Sequence, residues 1–159
     1  MGYSGAPRTL GFDESGRHVV EYVEGDVLTP FEPRDPISAL HRVGKLLSEF
    51  HDAAATFVPP NDAKWNVVIP PDQCDIAIHH DSAPWNFVVG ADRWMFTDWD
   101  NAGPGSRLWD LSYAAHGFLP LDRRCLLTTS ECGLPPWLVA TDWMSRGGAV
   151  SRTCWCHAS

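Results

Sequence analysis

The sequence has 159 residues, of which 44% are apolar and 20% charged, with 12 basic and 20 acidic side chains and a net charge of −8. This composition indicates a globular domain of ordinary size and argues against binding to the phosphate backbone of nucleic acids. No stretch approaches the ~20 apolar residues that cross a bilayer, and the N-terminus lacks the apolar core of a secretory signal. We therefore expect a cytoplasmic protein without a membrane or nucleic-acid partner.

The cysteines and the charges are unevenly spread along the chain. Four of the five cysteines lie after residue 124. Residues 122–159 carry a net charge of +1 (4 basic, 3 acidic), against −9 (8 basic, 17 acidic) for residues 1–121. An odd number of cysteines without a secretory signal predicts reduced thiols. Cys154–His157 holds two cysteines and a histidine but is too compact for a zinc site. The change in composition marks a candidate boundary near residue 121.

The first segment of the chain predicts a β-hairpin. Thr9–Phe12 is a short run that contains apolar residues, and Arg17–Val23 is rich in β-branched and aromatic residues. The four residues that end at Gly16 separate these runs, which is the length of a common hairpin loop. Glu24–Asp26 then breaks the second strand.

An amphipathic helix is predicted next. Asp35 is a suitable N-cap and Pro36 a favoured first helical residue. Apolar residues then recur three or four positions apart for about five turns. They are Ile37, Leu40, Val43, Leu47, Phe50 and Ala54. We interpret His51 and Asp52 as features of the helix end.

The second half alternates short strands with loops and ends in a helix. Asp75–Ile78 predicts a strand, and Asn86–Gly90 with Arg93–Thr97 predicts a second hairpin. Asn101–Gly105 contains two glycines and a proline and is predicted to be a loop. Leu108–Phe118 predicts a helix.

The residues that carry chemistry lie between positions 79 and 110. The sequence reads His79-x-Asp81-x-x-x-x-Asn86, followed by a hairpin and then Asp98. A loop aspartate can accept the proton of an attacking hydroxyl, and an asparagine five residues later can return to the same centre as a neutral oxygen ligand. A second aspartate at the far end of the hairpin supplies an anionic ligand for Mg²⁺. The spacing of Asp81, Asn86 and Asp98 therefore indicates phosphoryl transfer.

Five ordered motifs resemble a known family. Residues 79–86 read HHDSAPWN, 96–100 read FTDWD and 108–111 read LWDL, while upstream 19–25 read VVEYVEG and 46–53 read LLSEFHDA. Together they resemble the aminoglycoside phosphotransferase family, which belongs to the protein-kinase-like superfamily and has choline kinases as relatives. The two upstream motifs resemble the strand and hinge between the two lobes and the helix that follows the hinge.

The resemblance implies a role for each residue of the central motifs. Asp81 would be the catalytic base, and Asn86 and Asp98 would be ligands of Mg²⁺. Asp110 would hydrogen-bond the catalytic loop and hold it in place. His79 would be a structural residue of that loop, neither an acid nor a base.

The resemblance also implies a nucleotide site and covers roughly residues 6–121. The backbone of Glu21, Tyr22 and Val23 would face the adenine of ATP, or the base of GTP, as the phosphoryl donor. Ser82 departs from the family, which usually has an apolar residue at that position.

The chain also departs from the family at both ends. Its only lysines are Lys45 and Lys64, and neither follows a glycine-rich turn of the kind that binds phosphates in kinases. We therefore expect the chain to begin inside the small lobe. Residues 123–159 show no sustained helical periodicity, and we expect this tail to be a shifted reading frame or a truncated remnant, which reading the coding DNA in the other two frames tests.

The predicted fold class is α+β, namely a protein-kinase-like large lobe with a residual hairpin of the small lobe. Residues 1–25 are the expected hairpin and hinge, residues 26–121 the large lobe, and residues 122–159 a divergent tail rich in cysteine and tryptophan. The predicted function is phosphoryl transfer from ATP to a hydroxyl of an aminoglycoside-like small molecule. The excess of acidic over basic side chains would attract cationic acceptor molecules.

Two alternatives remain at this point. The missing phosphate-binding lysine and glycine-rich loop favour a catalytically inactive remnant or a binding module of the same fold. A metal-dependent hydrolase that uses His79, Asp81 and Asp98 is the other, and it predicts tight binding of a transition metal without nucleotide. The sequence does not indicate an oligomeric state.

Overall fold

A computed structural model describes residues 3–28 and 36–118, where the chain combines antiparallel sheets with two helices. The elements in chain order are β1 Thr9–Phe12, β2 His18–Val20, β3 Asp26–Val27, α1 Pro36–Ala54, β4 Ile76–Ile78, a 3₁₀ turn Pro84–Asn86, β5 Phe87–Val89, β6 Trp94–Phe96, β7 Gly103–Gly105 and α2 Arg107–Phe118. The expected boundary near residue 121 and the tail lie outside the described residues.

The predicted N-terminal hairpin is confirmed. β1 and β2 pair antiparallel, with Thr9 opposite Val20 and Phe12 opposite His18. Asp13 closes the turn, because its Oδ1 accepts the backbone N–H groups of Ser15 and Arg17 at 2.9 and 2.8 Å. The hairpin is local in sequence, which is why its pattern was sufficient to predict it.

The predicted first helix is confirmed as α1. Its buried side chains recur at Ala39, Val43 and Leu47, and this stripe packs against the central strands and α2. The buried core cluster consists of Val43, Leu47, Phe87, Phe96, Leu111, Ala114 and Phe118. The core therefore sits between the two helices and the sheet that leads into the candidate site. No helix in the described ranges is long and apolar enough to span a membrane.

The second strand ends before Glu24–Asp26, as expected, but a further strand that was not predicted begins at Asp26. Asp26 and Val27 form β3, which pairs antiparallel with β5, so that the central sheet has the order β3-β5-β6. Gly25 permits the approach, because a Cβ there would lie 2.6 Å from the carbonyl oxygen of Val89. The strand exists because of a partner far away in sequence, and the predicted hairpin of β5 and β6 supplies that partner.

The predicted loop at Asn101–Gly105 is also partly a strand. Gly103–Gly105 form β7, which pairs antiparallel with β4. A side chain on Gly105 would collide with Ile78 of that strand, so glycine allows the two backbones to pair closely. The local composition predicted a loop. The pairing with β4 that makes this segment a strand comes from a distant part of the sequence and leaves no local pattern.

The second predicted helix is confirmed and begins at Arg107. Ser106 caps it, because its Oγ accepts the backbone N–H of Trp109 at 3.1 Å and donates to Asp72 at 2.7 Å. Arg107 also pairs with Asp52 of α1 at 2.7 Å. These contacts fix where α2 begins. They therefore also fix where its first-turn residue Asp110 meets the loop that follows β4.

The expectation of reduced thiols is wrong at Cys74, which is disulfide-bonded. The other four cysteines lie outside the described residues. A disulfide requires only that the fold bring two cysteines together, which an odd count and the lack of a secretory signal do not exclude.

Candidate functional site

The loop that follows β4 is built around one buried carboxylate. Asp110 of α2 is fully buried. Its Oδ1 accepts the backbone N–H of His80 at 3.2 Å and the hydroxyl of Ser82 at 2.7 Å. Its Oδ2 accepts the backbone N–H of His79 at 3.2 Å and faces Nε2 of His51 at 2.9 Å. One side chain thus ties the loop to both helices.

These contacts keep Asp110 ionised. Burial alone would raise the pKa of Asp110, but the hydrogen bond and charge of His51, together with His79 and Ser82, outweigh it and hold the pKa below its ordinary value. A buried carboxylate that accepts several hydrogen bonds is stabilised in its charged form. The loop is therefore held by a hydrogen-bond acceptor that stays ionised near neutral pH.

His79 connects the loop to the end of β6. Its Nε2 lies 3.0 Å from the carbonyl oxygen of Thr97, and its Nδ1 accepts the backbone N–H of Asp81 at 3.3 Å. Burial lowers the pKa of His79, which favours a neutral ring with the proton on Nε2. Its ring packs 4.4 Å from that of Trp99. Both ring nitrogens are engaged, which argues against His79 as a ligand in a metal-dependent hydrolase.

Asp81 has one held oxygen and one unpartnered oxygen. Its Oδ2 accepts Nδ2 of Asn86 at 2.7 Å, and the same Nδ2 donates to the backbone oxygen of Asp81 at 3.0 Å. Its Oδ1 is buried and has no hydrogen-bond partner among the residues that the structure describes. Buried polar atoms are nearly always paired, so an exception in a loop this well ordered calls for an explanation.

Asp98 lies beside the same loop through the backbone. The N–H of Thr97, the residue before it, donates to the carbonyl oxygen of Asn86 at 2.8 Å. Asp98 has a φ of 56° and His80 a φ of 66°, a left-handed conformation that aspartate and histidine tolerate better than most residues. The Asp98 side chain is exposed.

The donors near this loop fit Mg²⁺ better than a transition metal. Within residues 3–28 and 36–118, no group of three or more His, Cys, Asp or Glu side chains is arranged to hold a metal ion. Asn86 uses its Nδ2 on Asp81, which leaves its amide oxygen for another partner. Mg²⁺ needs few protein oxygens because it keeps several waters and binds phosphate oxygens. The amide oxygen of Asn86 and the exposed Asp98 carboxylate are oxygen donors of the kind that such an ion takes.

The segment expected to face the nucleotide base joins the hairpin to the central sheet. The Glu21 carboxylate accepts Nη2 of Arg93 at 2.9 Å and the backbone N–H of Arg8 at 3.1 Å. Tyr22 is 89% exposed, and Val23 follows it directly before β3. The side chain of Glu21 therefore links the hairpin to the β5–β6 turn, while Tyr22 is exposed and Val23 is half-buried.

Sequence reasoning missed three residues of this region. His51, interpreted as a helix-end feature, is buried and lies four positions after Leu47 on the stripe that packs inward. Ser82, noted as a departure, is buried and donates to Asp110. Tyr113 lies three residues after Asp110, and burial, followed by the neighbouring Asp81, raises its pKa to about 12. The helical spacing from Leu47 and from Asp110 was the signal that could have found His51 and Tyr113.

Comparison with known proteins places the fold. No family model matches the sequence. The chain is 31% identical over 109 residues to a trifolitoxin immunity protein from Rhizobium leguminosarum bv. trifolii, a match that covers 65% of this chain and 41% of that protein. Its structure is similar to a choline/ethanolamine kinase family protein from Mesorhizobium loti, with a TM-score of 0.54, 20% identity, and coverage of 73% of this chain and 51% of the other.

The second likeness shows the fold alone, because function resides in sites and not in folds. The described residues share a kinase-like fold of helices and antiparallel sheets, as expected from the sequence, whereas the division into a large lobe and a remnant of the small lobe stays a prediction. The chain spans about half of the length of the solved choline/ethanolamine kinase family protein and less than half of the immunity protein. Membership of the aminoglycoside phosphotransferase family stays a prediction.

Proposed function

We propose that the chain carries the phosphoryl-transfer site of a phosphotransferase that uses Mg²⁺ and ATP or GTP and acts on a hydroxyl of a small, aminoglycoside-like molecule. The observation that supports the proposal is the different environment of the two oxygens of the Asp81 carboxylate. Asn86 holds its Oδ2 at 2.7 Å, whereas its Oδ1 is buried without a partner among the described residues. A buried acceptor without a donor costs free energy, and the hydroxyl of a bound acceptor molecule would supply that donor.

Asp81 would act as the base of the transfer step. The acceptor hydroxyl gives its proton to Oδ1 of Asp81 while its oxygen forms a bond to the γ-phosphorus, and the bond from that phosphorus to the β-phosphate oxygen breaks. The nucleoside diphosphate leaves. Asn86 keeps the carboxylate turned toward the acceptor, and Asp110 holds the loop in which both residues lie. Positioning of this kind supplies much of the rate in phosphoryl transfer.

Asn86 and Asp98 would hold the metal ion. The Asn86 amide oxygen and the Asp98 carboxylate are oxygen donors of the type that Mg²⁺ prefers. Backbone pairing between Asn86 and Thr97 supports the two acting together. When bound, the ion neutralises negative charge on the transferring phosphates.

The nucleotide base would lie against the segment Glu21–Val23. Among the described residues, no backbone hydrogen bond engages Tyr22 or Val23, whereas the N–H of Glu21 donates to Arg8. Backbone donors and acceptors at Tyr22 and Val23 are therefore the groups that can bind the edge of a purine.

The acceptor would be cationic. Asp98 and Asp100 are both exposed and lie at the same end of β6 as the loop of Asp81. The whole chain carries a net charge of −8, which attracts cations and raises their local concentration. Amino sugars and amino alcohols combine a positive charge with a free hydroxyl, so they are the first acceptors to test.

A transfer assay on the full chain tests the proposal. Wild-type protein with radiolabelled ATP, Mg²⁺ and a panel of amino sugars and amino alcohols should yield a labelled product. Asp81→Asn should lower the rate by a factor of 10² or more, the range of general base catalysis. The matched control Asp92→Asn replaces an exposed carboxylate in the β5–β6 turn and should transfer like wild type. Absence of transfer with every acceptor, or equal rates for wild type and Asp81→Asn, would overturn the proposal.

A binding protein without transfer is the second candidate. Its support is the similarity to a protein named for immunity and the position of the two lysines of the chain. Lys45 lies on α1, 74% exposed and 3.8 Å from Glu49, and Lys64 lies outside any strand. Neither is placed as the strand lysine that pairs phosphates in kinases. Tight binding of a small molecule without turnover, unchanged in Asp81→Asn, would favour this candidate.

A further inference from the structure

The N-terminal hairpin has one regular edge that faces outward. Among residues 3–28 and 36–118, β2 pairs with β1 and with no other strand. Glu21 donates its backbone N–H to the residue before β1, and the carbonyl oxygen of Arg17 accepts the N–H of the residue after β1. Because backbone groups alternate in direction along an antiparallel strand, His18 and Val20 direct their N–H and carbonyl groups away from β1. The described part of the chain therefore leaves this edge of β2 open to a further strand.

The two edges of the hairpin differ in regularity. On β1 the register shifts between Thr9 and Gly11, which marks a bulge, and Gly11 has a φ of 119°. A bulge bends an edge strand and makes it a poor template for another strand. The residues of β2 follow one another without a gap in the register, and all three are exposed. The edge on which a further strand can pair is therefore that of β2.

The sequence along this edge is complementary to itself. Residues 17–21 read RHVVE. When two copies run antiparallel with Val19 opposite Val19, Arg17 of each copy lies opposite Glu21 of the other, and opposite charges that face each other across strands stabilise the pairing. In the same register His18 lies opposite Val20, so the outward backbone groups of these two residues exchange both N–H···O bonds. Registers centred on His18 or on Val20 do not bring Arg17 opposite Glu21.

We propose that two copies of this chain associate through β2, which pairs antiparallel with β2 of the second copy about a two-fold axis at Val19. The pairing joins the two hairpins into one sheet, and because each copy uses the same edge, the association closes at a dimer. The bulged β1 strands form the outer edges of this sheet, where they oppose the addition of further chains. The inference does not depend on the proposed function.

The association also covers exposed apolar side chains. Val19 and Val20 are 38% and 43% exposed, and the two Val19 side chains meet at the axis. On the other face of the sheet, Val20 of one copy lies beside His18 of the other, whose ring is 5.4 Å from that of Phe12. Burial of this apolar surface adds to the backbone hydrogen bonds. Since the strand is short, the interface is of the small kind that associates weakly, and we expect a reversible dimer.

Sedimentation velocity of the full chain at increasing concentrations tests the association. The wild-type chain of 17.6 kDa should shift reversibly toward twice that mass. Val19→Lys places like charges opposite each other at the axis and should raise the dissociation constant by about tenfold or more. The matched control Val58→Lys replaces a valine that lies outside the hairpin and is 83% exposed, and it should associate like wild type. A chain that stays monomeric at every concentration, that assembles beyond a dimer, or that Val19→Lys leaves equally dimeric overturns the inference.

A charge exchange tests the register. Arg17→Glu brings negative charges together at both ends of the pairing, and Glu21→Arg brings positive charges together, so each variant alone should be monomeric at concentrations where wild type is dimeric. A mixture of the two variants has opposite charges at both ends and should recover the dimer. Circular dichroism of each variant alone checks that it is folded. A mixture of folded variants that stays monomeric, or a single variant that is as dimeric as wild type, overturns the inference.

Discussion

The loop around Asp110 and the β1–β2 hairpin are held to the molecule in opposite ways. The loop is anchored by a fully buried carboxylate that meets four polar groups from the loop and α1. The hairpin exposes large apolar side chains, with Leu10 at 56% and Phe12 at 74%. Its link to the β5–β6 turn is the exposed ion pair of Glu21 with Arg93.

This difference in anchoring separates the residues proposed for phosphoryl transfer from the residues proposed to bind the nucleotide base. Asp81 and Asn86, proposed to take the proton and to contribute to the metal site, belong to the densely bonded loop, and the exposed Asp98 lies beside it. The residues proposed to face the base belong to the connection after the hairpin, where Tyr22 is exposed and Glu21 and Val23 are half-buried. Since local stability follows burial and contact density, the loop should keep its geometry under conditions that loosen the hairpin. Hydrogen exchange should accordingly be slower in residues 79–86 than in residues 9–20.

The largest effect is expected from Asp110→Ala. It leaves the polar groups that met the carboxylate without their acceptor, and removal of one partner from a buried charge pair typically lowers the free energy of unfolding by about 3–5 kcal/mol. Urea denaturation measures the change. The control Asp52→Ala breaks the pair with Arg107, in which Asp52 is 70% exposed, and should cost less than about 1 kcal/mol. Equal losses in the two variants would contradict the distinction between the regions.

The buried region should also make stability depend on pH. Burial lowers the pKa of His79 from its ordinary value of 6.5. The unfolded chain therefore binds this proton at a higher pH than the folded chain does, so stability is lost as the pH falls below about 6.5. The lowered pKa of Asp110, from 3.8, adds a second loss at still lower pH.

Urea midpoints at several pH values check this expectation. His79→Gln should flatten the fall between pH 7.5 and pH 5.5, whereas His116→Gln, at an exposed position of α2, should leave it unchanged. A wild-type midpoint that rises on acidification through this range would contradict the assignment of a neutral, buried His79.

A smaller effect is expected at the start of α2. Ser106→Ala removes the cap that accepts the N–H of Trp109, and such caps contribute about 1 kcal/mol. Because α2 carries Asp110, the variant should also speed hydrogen exchange in the loop of residues 79–86 without affecting the hairpin. Ser112→Ala, on the same helix but outside the cap, is the matched control. An unchanged free energy of unfolding would show that Ser106 does not cap the helix.

The smallest effect is expected at the hairpin link. Glu21→Gln removes the charge from an exposed ion pair, which salt screens, so the denaturation midpoint should stay within error. Hydrogen exchange in β1 and β2 should nevertheless become faster, and 1 M salt should have the same effect on wild type. A large fall in the midpoint would mean that the hairpin is bound as firmly as the loop.

The elements that were predictable from the sequence are those defined by local patterns. The β1–β2 and β5–β6 hairpins, α1, β4 and α2 each carry their own periodicity or turn residues. β3 and β7 were not predictable in this way. β3 has two residues, and β7 reads Gly-Pro-Gly. Both become strands only because β5 and β4 supply hydrogen-bond partners from elsewhere in the chain, and no local pattern encodes such a partner.

The residues of the candidate site also fall into those that the sequence indicated and those that only the fold revealed. The motif spacing and the resemblance indicated Asp81, Asn86, Asp98 and Asp110, because those residues lie close in sequence or in recognisable motifs. His51 of α1 and Ser82 of the loop both contact the buried carboxylate of Asp110 on α2. Their polarity alone does not distinguish them from surface residues, so only the fold reveals what they touch.

The most direct test of the central claim is a calorimetric titration of the full chain with ATP, and then GTP, in the presence and absence of Mg²⁺. If Asn86 and Asp98 hold a metal ion beside Asp81, nucleotide binding should require Mg²⁺ and be lost in Asp98→Asn, while Asp62→Asn, at an exposed site away from the loop, binds like wild type. Binding that is indifferent to Mg²⁺, or that survives Asp98→Asn unchanged, would contradict the claim.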